Sequence, residues 1–180
     1  MERITPVNLQ AAEGRAKELL DAVKAKLGLV PNMTRAMAVS PSVLDAYLGF
    51  SGALAHGVLP ARVREQLALD VSEVNHCDYC VSAHCAIGKH AGLTDEVILD
   101  SRRGTSTEPK TDALLRFART VVEMRGVIED ADFAAVRKAG YGAAEIAEVV
   151  AHVGLNVFTN YFNNVAGTTI DFPKAPALPA

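Results

Sequence analysis

The stretch from Ala61 to Ile87 contains neither glycine nor proline, and this restricts the folds open to the chain. Apolar residues recur here at helical spacing, and no segment shows the strict apolar–polar alternation of a half-buried strand. Asn75 divides the stretch, because asparagine is unfavourable inside a helix and favourable as an N-cap. We therefore predict two consecutive helices, 61–74 and 76–91, in an all-α protein.

The remaining sequence follows the same pattern. Further helices are predicted at 8–27 with Asn8 as N-cap, near 34–39, from Ser40 to Gly57, after Thr94, over 111–125, before Gly140, and from Ala143 to about Ala166. The proline-rich tail 171–180 is expected to run extended over a surface or onto a neighbour. Without a low-complexity linker, residues 1–180 are predicted to form a single multi-helix domain of about eight helices, with its core motif at 61–92.

Composition excludes several functional classes. The net charge of -3 and the absence of a basic run argue against a nucleic-acid partner. The start MERITPVNLQ lacks the basic and apolar regions of a signal peptide. No run approaches the roughly 20 apolar residues that span a membrane. We expect a cytoplasmic protein without a membrane partner.

All three cysteines lie in the segment NHCDYCVSAHC, residues 75–85. Cys77 and Cys80 form a C-x-x-C pair, and His84 follows one helical turn later. Because a helix turns about 100° per residue, positions i, i+3 and i+7 share one face. The two cysteine Cα atoms would be roughly 5 Å apart, within the range of a disulfide. In the cytosol, catalytic or metal-binding cysteines are more common than structural disulfides.

The spacing alone leaves several interpretations open. The pair could be a redox dithiol, with Cys77 favoured as the thiolate by the helix dipole. A zinc site would add His84 and a fourth ligand from His76, Cys85, His90 or a distant residue. The cysteines could also be ordinary core residues. Cys85 in particular is expected to be a small core hydrophobe, because it points about 100° away from Cys80.

The segment REQLALDVSEVNHCDYCVSAHCAIGKHAG resembles the core of the alkylhydroperoxidase D (AhpD-like) family, within the carboxymuconolactone decarboxylase superfamily. That family places a glutamate about a dozen residues before a C-x-x-C, and a histidine four residues after it. Glu65, Cys77, Cys80 and His84 reproduce this pattern. LGLVPNM, FSGAL and LNVFTNYFNNVAGTTIDFP are similar to the peroxidase-related subgroup, so the resemblance covers about residues 26–173.

The resemblance implies an all-α fold and a dithiol (alkyl) hydroperoxide reductase that needs no cofactor and no metal. Cys80 would attack the peroxide and Cys77 would resolve the product to a disulfide. His84 would pass the Cys80 proton towards Glu65. This order disagrees with the dipole argument, which favours Cys77. Tyr79 stands where the best-known members have a second histidine, so the proton network is expected to differ.

The resemblance also implies partners. These are a small-molecule peroxide as substrate, a thioredoxin-like or lipoyl-bearing protein as reductant, and further copies of the chain in a trimer or hexamer. The last predicted helix independently suggests a homo-oligomer, because it is apolar around much of its circumference.

Two other functions stay open. A carboxymuconolactone decarboxylase-like enzyme would share the fold without needing thiol chemistry. A redox-sensing or zinc-binding helical module would bind a partner without turning over peroxide.

Two further residues are candidates for the site. Glu73 is an alternative to Glu65 as the carboxylate but is expected at the surface, and His152 is expected to be a core or interface histidine.

Overall fold

The computed structural model describes residues 1–178, and this range is helical without a strand. Nine helices lie within it: α1 (Gly14–Leu27), α2 (Asn32–Met37), α3 (Pro41–Leu54), α4 (Ala61–Val74), α5 (Asp78–His90), α6 (Asp95–Arg102), α7 (Pro109–Glu123), α8 (Asp130–Lys138) and α9 (Ala143–Ala166). The predicted all-α fold is confirmed, and the prediction of about eight helices was one short.

Helix α4 lies at the centre of the fold, against α5, α6, α7 and α9. Its residues 66–72 are all buried, including the polar Gln66, Asp70 and Ser72, because the neighbouring helices cover it on most sides. Leu67 and Val71 join the largest apolar cluster, which includes Leu114, Leu115, Phe117, Ala118, Val121, Val149 and Val153 of α7 and α9. The central position of α4 places the helix junction that follows it in the interior.

The junction between α4 and α5 differs from the prediction. Asn75 caps the carboxyl end of α4 instead of the amino end of α5, and His76 follows in a left-handed conformation with φ of 51°. Cys77 takes the N-cap position, where its Sγ accepts the backbone N–H of Cys80 at 3.3 Å. The helix predicted at 76–91 therefore begins at Asp78, two residues later than predicted. Asparagine can cap either end of a helix, and the Cys77 sulfur, instead of Asn75, accepts the N–H at the start of α5.

The first helix also begins later than predicted. Asn8 does not cap it; the Asn8 side chain accepts the N–H of Gln10 at 3.0 Å in a local turn, and α1 starts at Gly14. This is the alternative hydrogen bond that asparagine offers to a backbone outside helices. The last helix matches its predicted limits. No helix of the described chain is long and apolar enough to cross a membrane.

Beyond α9 the chain runs back over its own surface, as expected for the tail. Asp171 accepts the backbone N–H of Asn32 at 2.7 Å, and the Ala175 N–H donates to Ser82 Oγ at 3.1 Å. The tail thereby lies across the beginnings of α2 and α5. Residues 179 and 180 of the predicted tail lie outside the described residues.

Helix α9 has an unusual distribution of polarity. Its buried side carries Asn156, Asn160 and Asn163, whereas Phe158 and Tyr161 are 39% and 57% exposed. An amphipathic helix normally turns its apolar side inward. The asparagines must therefore have partners in the interior, and the aromatic side faces away from the chain.

A buried ion pair joins α4 to α7. Asp70 is fully buried, and Arg119, which is 31% exposed, donates to its carboxylate. Replacing Asp70 with alanine is expected to lower the free energy of unfolding by about 2–3 kcal/mol, less than for a fully buried pair because Arg119 reaches solvent. Asp21→Ala breaks the exposed Lys17–Asp21 pair and should cost no more than about 0.5 kcal/mol. Urea unfolding of both variants measures the difference, and equal losses would contradict it.

Candidate active site

The structure brings the four predicted site residues together where α4, α5 and α9 meet. Glu65 lies on α4, Cys77 caps α5, and Cys80 and His84 follow on successive turns of α5. His84 Nδ1 lies 2.8 Å from Glu65 Oε2. Both cysteines are free thiols with buried side chains, so the structure describes the reduced state.

Glu73 is not part of this group. It accepts from Arg102 Nε at 2.8 Å, and the Arg102 side chain is only 5% exposed. The expected surface role of Glu73 therefore holds only in part: its side chain is 27% exposed, but it pairs with an Arg102 that is buried where α6 packs against α4. Cys85 lies on the same side, against the small cluster of Leu69, Leu93 and Ile98, in agreement with its expected role as a core hydrophobe.

The two thiols of the C-x-x-C pair have opposite acidities. Burial raises the pKa of Cys80, but the hydrogen bond with Cys77 and the positive charge of His84 outweigh it, and the pKa falls to about 7. The same hydrogen bond to Cys80, together with burial, raises the pKa of Cys77. This order is the one that the resemblance implies and differs from the dipole argument, because Cys77 lies at the N-cap, before the first turn, and its hydrogen bond stabilises the charge on its neighbour.

His84 carries the charge that this arrangement needs. Burial lowers its pKa, but the carboxylate of Glu65, the hydrogen bond to it and the charge of Cys80 raise it further, so the net shift is upward. The protonated imidazole donates Nδ1–H to Glu65 and keeps Nε2–H for another partner. A carboxylate, an imidazolium and a thiolate thus form a chain of alternating charge.

Asparagines of α9 complete the surroundings of the thiolate, and sequence analysis did not identify them. Asn163 Nδ2 donates to Cys80 Sγ at 3.2 Å. Asn160 donates to Ser72 Oγ at 3.1 Å and accepts from Asn75 at 3.0 Å, which ties α9 to the junction after α4. Their spacing of three residues along α9 was visible in the sequence, but nothing there showed which side of the helix is buried.

Removing the amide of Asn163 should raise the pKa of Cys80. Hydrogen bonds to charged groups contribute about 1.5 kcal/mol or more, so Asn163→Ala is expected to raise this pKa by about one unit. Ultraviolet absorbance of the thiolate across pH measures the shift. Asn164→Ala is the matched control, because Asn164 is exposed and donates only to the Asn75 carbonyl. An unchanged midpoint in Asn163→Ala would contradict the assignment.

Tyr79 packs between α5, α2 and the tail and does not belong to the hydrogen-bonded group of Glu65, His84 and Cys80. Its ring is 5% exposed and meets Phe172 edge-on, with 5.8 Å between the ring centroids. Its hydroxyl accepts the backbone N–H of Met33 at 3.2 Å. Tyr79 therefore holds the start of α2 and the tail against α5. Met33, Ile170 and Phe172 pack over both cysteines, and Cys77 is fully buried beneath them.

A pocket of about 630 Å³ opens from the site towards α1 and α3. Cys80 and His84 line its inner end, and Tyr47, Leu48 and Leu155 are among its apolar walls. Burial raises the pKa of Tyr47 to about 12, so its hydroxyl stays neutral. The cavity is far larger than hydrogen peroxide requires, and its size is typical of a small-molecule site.

His152 is buried on α9, which agrees with its expected role as a core histidine. Burial, assisted by the charge of Arg64, lowers its pKa and keeps it neutral. Within residues 1–178, no three His, Cys, Asp or Glu side chains converge in a way that could hold a metal ion. The zinc-site interpretation of Cys77, Cys80 and His84 therefore has no geometric support.

Comparison with known families and structures shows which proteins this chain resembles. Residues 41–124 match the family model of the carboxymuconolactone decarboxylase family. A comparison with curated protein sequences finds no significant match. The crystal structure of an uncharacterized peroxidase-related protein from Ralstonia eutropha JMP134, described as an alkylhydroperoxidase AhpD core, superposes with a TM-score of 0.85 at 26% identity, over 94% of this chain and 92% of that one.

More distant structures share the fold. A peroxidase-related protein from Silicibacter sp. TM1040 has a TM-score of 0.80 and 23% identity, over 93% of this chain and 92% of its own. The debrominase Bmp8, solved in complex with 2,3,4-tribromopyrrole, has a TM-score of 0.78 and 19% identity, over 94% and 91%. These structures show that the chain shares one all-α fold with them over nearly its whole length. Residues 41–124 thus resemble the carboxymuconolactone decarboxylase family, and the fold as a whole is similar to that of the AhpD core structure.

Proposed function

We propose that the protein is a thiol-dependent reductase of organic hydroperoxides. The observation that carries the proposal is a Cys80 thiol that lines an apolar pocket next to Cys77, whose Sγ accepts the Cys80 backbone N–H, and whose proximity helps to lower the Cys80 pKa to about 7. A thiolate is the species that attacks a peroxide, and this pKa makes about half of it available at neutral pH. The peroxidase-related names of the structural relatives support the same chemistry.

In the first step, the Cys80 thiolate attacks the terminal oxygen of the hydroperoxide. The O–O bond breaks, sulfur is oxidised by two electrons to a sulfenic acid, and the alcohol leaves. The alkoxide needs a proton as it departs. His84 holds one, and Glu65 stabilises the imidazolium until the transfer.

In the second step, Cys77 condenses with the sulfenic acid. A disulfide forms, water leaves, and no further oxidant is needed. The two cysteines are already linked through the N-cap hydrogen bond, so the reaction needs little movement of the backbone. A dithiol protein, thioredoxin-like or lipoyl-bearing, then reduces the disulfide and is itself oxidised.

A homo-oligomer is part of the proposal. The exposed aromatic side of α9, with Phe158 and Tyr161, is an apolar face that a second copy of the chain would cover. Light scattering is expected to give the mass of a trimer or hexamer. A mass of one chain would contradict this part of the proposal without affecting the chemistry.

A thiol count tests the function directly. Ellman titration of the denatured protein, before and after one equivalent of cumene hydroperoxide, should show the loss of two of three thiols, restored by dithiothreitol. Cys80→Ser should abolish the loss, whereas Cys85→Ser should leave it intact, because Cys85 packs away from the site. Survival of all three thiols in the wild-type protein would reject the proposal.

Two alternatives have distinct outcomes. A decarboxylase-like enzyme would keep its activity after alkylation of Cys77 and Cys80, whereas a peroxidase would lose it. A non-enzymatic redox sensor would form the disulfide once and show no sustained peroxide consumption with any dithiol. Since one fold neighbour is a debrominase, a halogenated pyrrole belongs in the same thiol-oxidation assay.

A further inference from the structure

The pocket is an elongated groove that runs along one side of α5. Cys80, His84, Ile87 and His90 recur at spacings of four, three and three residues and all line it. Ten residues separate the first from the last, which corresponds to about 15 Å along the helix axis. The reacting sulfur therefore lies at one end of the groove, and the carboxyl end of α5 lies at the other.

Apart from Cys80 at its reacting end, the groove is lined by no acidic side chain. No aspartate or glutamate is among its lining residues, and Lys26, in the last turn of α1, is its only lysine or arginine. Lys26 is exposed and forms no ion pair within the described chain. His90 donates Nδ1–H to the Ala86 carbonyl at 2.8 Å and so keeps Nε2 free. The groove is thus lined by one lysine and by no aspartate or glutamate.

Between the two ends, the walls are apolar. Leu27, the last residue of α1, and Leu29 beyond it line the groove together with Ile87 of α5 and the buried Val23. Leu27, Leu29 and Ile87 are 54%, 52% and 42% exposed in the chain, so a ligand would remove apolar surface from water at each of them. An extended hydrocarbon chain fits such a channel better than a compact or polar molecule.

We propose that the groove binds an amphipathic anionic hydroperoxide of the fatty-acid type, with its carboxylate at Lys26, its chain along α5 and its hydroperoxide group at Cys80. This substrate class rests on the proposed function. In the reaction, the O–O bond breaks, one oxygen is transferred to Cys80 sulfur, and a hydroxy fatty acid leaves with the proton from His84. The span of about 15 Å between Cys80 and His90 along α5 suits a hydroperoxide group many carbons away from the carboxylate.

The test compares two substrates that differ only in the negative charge. These are 13-hydroperoxy-octadecadienoic acid and its methyl ester, each below its aggregation concentration, with dithiothreitol as reductant. The acid is expected to have a KM about two- to fivefold lower than the ester, as for a solvent-exposed ion pair. Lys26→Gln should bring the ratio to about one. Lys24→Gln removes the same charge from the same helix outside this groove and should leave the ratio unchanged.

Two results would overturn the inference. One is an equal KM for acid and ester in the wild-type protein; the other is an equal effect of Lys26→Gln and Lys24→Gln on the ratio. Reduction of tert-butyl hydroperoxide is measured in parallel. If that small peroxide is consumed while acid and ester are equivalent, the proposed function stands and the substrate class fails.

Binding measurements cover the case in which no hydroperoxide is consumed and the proposed function itself fails. Calorimetry with dodecanoate on Cys80→Ser protein, which cannot react, measures the groove alone. Dodecanoate should bind about two- to fivefold more tightly than its methyl ester, and Lys26→Gln should abolish that difference. Absence of binding in the unsubstituted groove would reject the ligand class independently of the chemistry.

Discussion

Replacing Cys77 with serine is expected to convert sustained peroxide reduction into a single event. Cys80 keeps its nucleophile and its proton donor, so it still forms a sulfenic acid, but no thiol is present to resolve it. Turnover with a dithiol reductant should fall on the order of 1000-fold, as when a reacting group is removed from a catalytic site. A dimedone adduct at Cys80, located by mass spectrometry, identifies the trapped product.

The substitution should leave the fold intact, which makes the loss of turnover informative. Serine is a favourable N-cap, and its Oγ can accept the Cys80 N–H in place of Cys77 Sγ. The hydrogen bond from the Cys77 thiol, which stabilises the Cys80 thiolate, is also lost, so the pKa of Cys80 should rise. Circular dichroism and unfolding midpoints close to the wild type would show that folding is not the cause.

The reciprocal variant distinguishes the two cysteines. Cys80→Ser should show neither turnover nor a dimedone adduct, because burial alone still raises the pKa of the Cys77 thiol and disfavours its thiolate. Cys85→Ser should behave like the wild type. If the adduct instead formed at Cys77 in the Cys80→Ser protein, the roles would be reversed, as the helix dipole alone predicts.

The cluster of Glu65, Cys80 and His84 was predictable because its geometry is largely local. Cys80 and His84 are one turn apart on α5, and Glu65 is only 19 residues from His84, on the helix that precedes the junction. Helical periodicity and a family pattern are sufficient for such a group. The exact start of α5 was not predictable, because Asn75 is an acceptable cap for either helix.

The rest of the site depends on contacts between distant parts of the chain. Asn163 is 83 residues from Cys80, and Met33 is 46 residues from Tyr79. On an otherwise apolar helix, asparagines are normally expected on the side that faces solvent. The asparagines of α9 lie on the buried side instead, because they bind the Cys80 thiolate and the carboxyl end of α4. The groove is likewise lined by residues from both the end of α1 and α5, and nothing in the sequence of either segment indicates that the two lie side by side.

Glu65→Gln is expected to move the pH dependence of the reaction upward. In the wild type, the Cys80 pKa is about 7, so the rate of peroxide-dependent thiol loss should rise with pH through about 7 and level off above it. Without the Glu65 charge, burial dominates at His84 and lowers its pKa, so the imidazole is neutral at pH 7. Cys80 then loses its opposing charge, and its pKa rises towards the value of an ordinary thiol.

The expected fall in rate at pH 7 is about five- to fiftyfold, since an upward shift of one to two pKa units leaves only about one per cent to a tenth of the thiol ionised, compared with about half in the wild type. At high pH, where Cys80 is ionised in both proteins, the difference should become small. Stopped-flow measurement of thiol oxidation by cumene hydroperoxide across pH gives the midpoint and the plateau separately. The midpoint reports the pKa of Cys80, and the plateau reports the rate of the ionised thiol.

Glu73→Gln is the matched control, because it removes an equal charge from the same helix at a residue paired with Arg102. Its midpoint should stay near 7. A Glu65→Gln protein with an unchanged midpoint and a lower plateau would contradict the electrostatic role. Glu65 would then act after the thiolate has formed, by supplying the proton through His84 to the departing alkoxide, and the thiolate would depend on Cys77 and Asn163 alone.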